Sequence, residues 1–580
     1  VDSVNGSDAN DGLTAETPLQ SLAAAESATV SGSIVGLARG SYWREQFDIP
    51  ANNVSIAAYG SGAMPIMDGA DVAGTWTQPD AITYPNVWSQ SWSRTSATTT
   101  SSEMLGYWEA GARPRYATNA TTDLQANGGW FTTNLTAQTS TVSIKSLTNP
   151  NVDGVVREIT KRHYGINGHN STLGVTLTGQ SVIGPIEIKR CVGHYNAYSG
   201  GTGQAKRMLL RDGNIHHSVT EGSLLEDMLG TEYSPAIAPS VFVAYKGSGA
   251  GFSSTFRRLM ALFPGGASRV TGSASAFYAH SATTQEPASL TIEGCATRGI
   301  DFANASAQLM TVTGSYCEDP HQIVVGEAAV LNIVTALMVR DTAATPLAAG
   351  NQLFRRLLTS STFQGSHIAS NTRKGACVRN VTGGTPPVLS HCAICNTTNG
   401  DGLSGGEFDS IYNVLYVNGR VMELVTNLYT GDFNVYHFIG QTNPTLRWNN
   451  ILYSGTDSLK NFVAASGQDT NSVYLQSADQ TSGNANAFWL GISTAANNGP
   501  ADGDYRINPS ARVYDRDNTA RIGLFGDGVT PITLAGPQQH WDFNLRALVA
   551  GPPSRYPVLP ATIAEMRTYI EDPAAWDFYP

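Results

Sequence analysis

The sequence predicts an all-β fold, a parallel β-helix, and three observations predict it. First, short alternating lines of apolar and polar residues recur: Ser289–Cys295, Gln308–Gly314, Val330–Thr335, Phe408–Tyr416 and Leu446–Tyr453. Alternation marks a strand with one buried face. Second, the first of these lines return roughly every 19 to 24 residues with no helical pattern between them, so each strand can stack on its previous copy. Third, only 14% of residues are charged and 59 are Gly, which suits tight turns between many strands rather than a disordered chain.

The 580 residues need not divide into several ordinary domains, because a solenoid grows without a second core. The net charge of −11 argues against non-specific nucleic-acid binding, which needs a basic face. It leaves room for a local basic groove that holds an acidic sugar. Six cysteines are too few for a disulfide scaffold. Cys392 and Cys395 form a C-x-x-C without a second pair, and read as small apolar residues facing a core. No apolar run reaches the ~18 residues that span a membrane. No signal peptide is read at Val1, and a removed signal or attachment segment is left open.

Residues 1–30 are expected to cap the array. The turn cluster Asn5–Gly12 is rich in Asn and Asp, which bond their own backbone. Calcium is possible there, although the spacing is not that of an EF-hand. No other cofactor is expected. Thr17-Pro18 is expected to start a short helix over Leu19–Ala25, with Thr17 as its N-cap. The first strands follow over residues 31–71.

Three early lines carry a family resemblance: Gly6-Ser-Asp-Ala-Asn-Asp-Gly12 with Thr17-Pro18, Arg39-Gly-Ser-Tyr-Trp-Arg-Glu45, and Tyr59-Gly-Ser-Gly-Ala-Met-Pro-Ile66. They resemble the opening coils of right-handed parallel β-helix proteins, the pectate-lyase-like superfamily. That group includes polysaccharide lyases, some glycosidases and phage tailspikes. The resemblance is specific for fold over about the first 70 residues and continues in style to about residue 515. It implies a right-handed coil, a polysaccharide partner and, for a tailspike, a homotrimer attached to virion tail proteins.

Residues 72–150 interrupt the pattern and hold five of the ten Trp: Trp76, Trp88, Trp92, Trp108 and Trp130. They read as a small antiparallel β insertion whose Trp form its own core, with sugar stacking as the second reading. From Val155 the coil is expected to resume and to run, as the main array of residues 151–515, with a loop excursion near 230–272. Loops leaving a rigid scaffold are where binding chemistry usually sits. Residues 516–580 read as a tail with one short helix over Ile563–Ile570. The absence of a β-sandwich-sized C-terminal module counts against the usual obligate-trimer layout.

The densest polar stretch runs from Lys206 to Asp227. Hydrolysis of a glycoside needs two carboxyl groups, and Asp212, Glu221, Glu226 and Asp227 are the catalytic candidates. Elimination from a uronate needs a base and cations that neutralise the carboxylate. Lys246 is the candidate there, with Lys206, Arg207, Arg211, His217, His280 and Asp301 as substrate-binding residues. Solvated turn charges are the plain alternative. A second group, His280, Glu293, Asp301, Glu318, Asp319 and His321, lies on the next strands. No metal site is expected, and no P-loop, dinucleotide fingerprint or G-x-S-x-G elbow is present.

The expected function is a polysaccharide depolymerase, a lyase or a glycoside hydrolase, located on a virion tail or extracellularly and acting on a bacterial surface polymer. A secreted bacterial lyase and a non-catalytic glycan-binding adhesin are the rivals. Neither membrane insertion nor nucleic acid enters any of these readings.

Overall fold

The computed structural model describes residues 1–94, 106–133, 139–170, 175–191, 198–200, 202–212, 216–220, 224–231, 240–246, 253–263, 275–281, 289–305, 309–320, 323–324, 331–341, 354–357, 361–370, 378–380, 386–396, 402–405, 408–411, 413–417, 420, 422–424, 426–438, 445–455, 457–475, 489–491, 504–507, 512–514, 520–522, 536–552 and 555–579. The chain is mostly β, with few helices and a large parallel sheet. It separates into two compact units. One holds Val1–Tyr245, Gly272–Ala274 and Ile563–Pro573; the other holds Lys246–Thr271, Ser275–Thr562 and Ala574–Pro580.

In the first unit, Ile34–Ala38 pairs in parallel with Ser55–Tyr59, which pairs with the long strand Thr178–Lys189, which pairs with Thr202–Arg211. Leu224–Glu226 and Leu229–Thr231 extend this ladder. A second parallel ladder runs Phe47–Asp48, Ile166–Asn167, Tyr198–Gly200 and His216–Thr220. Two antiparallel sheets interrupt them. One joins Val87–Ser93, Thr139–Lys145 and Trp130–Thr132; the other joins Ala70–Val72, Arg157–Thr160 and Tyr107–Glu109. Trp76, Trp92, Tyr107 and Trp130 are buried together between Val142, Ile144 and Ile159, so these Trp are core residues. Parallel pairing resumes at Ile166 rather than Val155, because Arg157–Thr160 is drawn into the antiparallel sheet.

The first helix is Leu22–Ala28, three residues later than the sequence suggested. Ser21 caps it, its hydroxyl accepting from the Ala24 N–H. Thr17 is spent elsewhere, donating to Asp11 at 2.7 Å. Asp8 accepts from the Gln20 and Ser21 N–H groups at 2.9 and 2.8 Å, so this acidic turn serves backbone donors.

In the second unit the repeated lines of the sequence are the parallel strands. Ser253–Arg257, Ser289–Glu293, Leu309–Thr313, Leu331–Thr335, Thr362–Gln364 and Val388–Ser390 pair in succession. Each is followed across a tight corner by a second strand, and these too pair in order from Met260–Leu262 through Ala296–Arg298, Tyr316–Glu318 and Met338–Asp341 to His367–Ser370. A third ladder begins at Ile323–Val324 and Phe354–Leu357 and reaches Leu446–Trp448.

The corners explain the Gly, Ser and Asn that flank the lines. Gly294, Ala336, His391 and Phe433 take positive φ values of 59°, 54°, 52° and 57°. Each turns the next N–H out of its strand ladder, and a buried N–H needs an acceptor. The following period supplies one. Cys295 donates to Ser315 Oγ at 3.2 Å, Leu337 to Ser366 Oγ at 3.4 Å, Cys392 to Asn413 Oδ1 at 2.8 Å and Asn434 to Ser472 Oγ at 2.9 Å. At Gly294 and Gly314 the indole of Trp541 packs directly on the backbone. An added Cβ would meet it at 2.4 and 2.2 Å.

Candidate functional site

The second unit gathers carboxyl groups at the ends of its second strands. Glu318 and Arg340 are paired in register, so Asp319 and Asp341 follow them at successive strand ends. The ladder continues through this point, with the Asp319 N–H donating to the Arg340 carbonyl at 2.7 Å. Asp301 opens a strand paired with Ser275–Ser281 and is 4% exposed, and Asp341 is 1% exposed. All three carboxyls act on one buried group, the Cys317 thiol. Burial first pushes that thiol up; the Thr297 hydrogen bond opposes it, and the charges of Asp301, Asp341 and Asp319 add smaller upward contributions. Cys317 accepts the Thr297 hydroxyl at 3.0 Å.

Beside this trio runs a charge ladder across neighbouring strands. Arg298 Nε meets Glu318 Oε2 at 2.9 Å, and Arg340 Nη1 meets Glu318 Oε1 at 3.4 Å. Arg298 also donates to the Pro560 and Leu559 carbonyls at 3.1 and 3.2 Å, and the Arg340 guanidinium lies 5.4 Å from the Tyr556 ring centre. Glu293 pairs with Arg257 at 2.9 Å. These charges therefore organise the strands and seat the tail. The three aspartates stand one residue or more beyond them.

The first unit holds a different concentration of charge. Asp68, fully buried, bonds Arg190, meets Lys189 Nζ at 3.3 Å and accepts the Tyr42 hydroxyl. Burial alone would raise its carboxyl, but Arg190, Lys189 and Tyr42 hold it below the usual range. Glu158 bonds Arg190 and meets Arg44 at 2.5 Å; these guanidiniums overcome the effect of its burial and keep it low. Burial is the main cause that lowers the Lys189 ammonium, with Arg190 and Arg211 adding to it against Asp68. Glu187 is buried, accepting from Arg211 at 2.7 Å and Arg567 at 2.8 Å, and stays below the usual range despite its burial. None of these three carboxylates is a proton donor near neutrality. The Glu26 carboxyl differs, since burial and then the Asp48 charge raise it to about 7.

Of the residues that the sequence pointed to, Lys206 pairs with Glu226 in register at 2.7 Å. Asp227 is a buried corner residue at φ 53°. Arg207 is another corner, φ 56°, and donates to the Ile570 carbonyl at 3.1 Å and to that of Glu571. Arg211 bridges Glu187 and Asp212, the latter at 2.5 Å. Asp301 joins the trio described above. Glu221 and His321 lie outside the described residues, and so do the side chains of Lys246, His217 and His280 on their strands. Sequence reasoning missed Asp341, Asp68, Glu158, Glu187, Lys189, Arg190 and Tyr42. For Asp341 a signal existed: it stands 22 residues after Asp319, one period of the repeat.

No family model and no curated protein matches the chain. Among solved structures it is similar to one described as the complex of XylC with xylose, at 9% identity over 74% of this chain and 82% of that one, with a TM-score of 0.41. A glycoside hydrolase matches at 9% identity over 74% and 94% of the two chains, TM-score 0.34. A GH136 lacto-N-biosidase from Eubacterium ramulus matches at 12% identity over 76% and 63%, TM-score 0.30.

Proposed function

We propose that the protein is a polysaccharide depolymerase, that its parallel ladders are coils of a right-handed parallel β-helix, and that it cleaves by hydrolysis. The observation that carries the reading is the placement of Asp319 and Asp341 directly after the registered Glu318 and Arg340 on stacked strands, with Asp301 opening a strand of another ladder of the same unit. Hydrolysis of a glycoside needs one carboxyl to protonate the leaving oxygen and another to activate water or to attack the sugar. Stacked strands repeat every ~4.8 Å, so an extended polymer can touch several at once while one bond lies over the carboxyls. The setting we propose is a virion tail or the extracellular space, where surface polymers are met, with a homotrimer as the tailspike arrangement.

The test is incubation with capsular and matrix polysaccharides. New reducing ends without absorbance at about 235 nm are expected, since that absorbance marks the unsaturated product of elimination. Asp319→Asn and Asp341→Asn are each expected to lower kcat by ~10²-fold or more. Full activity in both variants would overturn the assignment, and loss of activity in Glu26→Gln instead would move the acid to the first unit. Absorbance appearing with the new ends would replace hydrolysis by elimination. Binding with no new ends would leave an adhesin.

A further inference from the structure

We propose that the helix Ser458–Ser466 and the turn after it form a latch on the last periods of the second unit, closed in acid and loosened as pH rises, with the Asp469 carboxyl as its sensor. The latch stands apart from the depolymerase reading and does not depend on it.

The latch has two parts. The helix buries Leu459, Phe462 and Val463. Its Phe462 ring lies 6.2 Å from those of Tyr429 and Trp448 and 5.7 Å from that of Tyr453. The turn then ties the helix to the strand Tyr429–Asp432, which pairs with Phe408–Ile411. Gly467 leaves the helix at φ 70°, Gln468 Oε1 accepts the Gly431 N–H at 3.1 Å, and the Asp469 N–H donates to the Gly431 carbonyl at 2.7 Å. Val473–Leu475 follows and pairs with Val435–Phe438.

Asp469 sits where these pieces meet and is 0% exposed. Its carboxylate accepts from the Tyr429 hydroxyl and the Asn434 amide, each at 2.9 Å, and from the Ser472 hydroxyl. Asn434 and Ser472 are also the last members of the corner column: Asn434 accepts the Asn413 N–H at 3.0 Å, and its own N–H donates to Ser472 Oγ at 2.9 Å. One carboxyl therefore joins the helix turn, the column and the strand.

Every one of these donors is neutral. The hydroxyls of Tyr429 and Tyr436, 3.2 Å apart, are themselves held protonated by burial and by the Asp469 charge, so they remain donors. Among the neighbouring charged residues, Asp432 takes the Phe433 and Asn471 N–H groups at 3.0 and 2.7 Å, and Asp457 and Lys460 are exposed on the helix. A buried carboxylate with hydrogen bonds but no cation is costly. Burial outweighs the donors and raises the carboxyl above its usual range. The folded value thus exceeds the unfolded one. The stabilising contribution is whole below about pH 4 and is lost as pH rises through the folded value.

The test is hydrogen–deuterium exchange of the full chain between about pH 4 and 8, corrected for the intrinsic rate. Segments 429–438 and 469–475 are compared with the ladder strand Ser289–Glu293 as internal reference. Protection of the two terminal segments is expected to fall by about tenfold or more relative to the reference as pH rises. Asp469→Asn keeps the shape but cannot ionise, and should remove the fall. Tyr429→Phe takes one donor from the anion, so the fall should grow and extend to higher pH; it decides the matter alone if Asp469→Asn does not fold. His437→Gln is the control, since histidines ordinarily titrate in this range, and should keep the fall. Protection independent of pH in the unaltered protein, or an offset equal at every pH in both variants, would overturn the proposal and leave a plain structural carboxylate. Loss of the fall in His437→Gln would overturn it in favour of the histidine.

Discussion

His367 is fully buried in the second unit, its ring 6.2 Å from that of Tyr556, and burial lowers it to about 3. Between about 3 and 6.5 the unfolded chain binds a proton there and the folded chain does not. Stability therefore falls as pH drops through this window, by up to about 1.4 kcal/mol per pH unit from this residue. His367→Phe is expected to flatten the acid limb of a plot of Tm against pH between 6 and 4. Equal slopes in the two proteins would show that the histidine titrates freely. His367 is one of eleven histidines in the sequence, and nothing there marks its burial. Asp341 is a similar case, since its neighbour Asp319 becomes a neighbour only through the register of two strands.

The terminal helix Ile563–Glu571 shows what an element gains from distant partners. Arg567 reaches Glu187, 380 residues away in sequence, and Glu571 pairs with Arg39 at 2.6 Å. Arg207 donates to the last carbonyls, the favourable place for a cation on a helix. Arg567→Ala is expected to destabilise the protein by about 1–2 kcal/mol, because Glu187 stays buried but keeps Arg211. Thermal unfolding measures it, and a change within error would mean that the Arg567–Glu187 pair adds nothing to what holds the helix. The helix itself was legible from its pattern. The strands were legible too, since period-two alternation survives whatever the chain does between them. The first helix was misplaced by three residues because Thr17 and Ser21 can both cap, and contacts not visible in the sequence decide between them: Thr17 is held by Asp11, while Asp8 and Glu45 hold Ser21 and the Leu22 N–H. The concentration of charge in the first unit could not be read in advance: Asp68 and Arg190 lie 122 residues apart, on either side of the Trp-rich insertion.

At the scale of the whole molecule, nearly every strand partner in the ladders is a full period away, and parallel pairing pays its loop-closure entropy before contacts repay it. Refolding after dilution from urea is expected to be slow, in seconds or longer, with a yield that falls as protein concentration rises; single-step recovery within milliseconds would contradict the ladder description.

The corner hydrogen bonds have one more consequence, for how such a chain can change length. Cys295 to Ser315 spans 20 residues, Cys392 to Asn413 and Asn413 to Asn434 span 21, and Leu337 to Ser366 spans 29. The residues in between can grow or shrink freely, as the step from 21 to 29 shows, provided the corner side chain arrives in place. Removing half a period would strand a buried N–H without its acceptor, while removing a whole one would hand it to the next corner. The column of Ser and Asn thus acts as a ratchet: the segments between corners vary in length, but the corners themselves are gained or lost only in whole teeth.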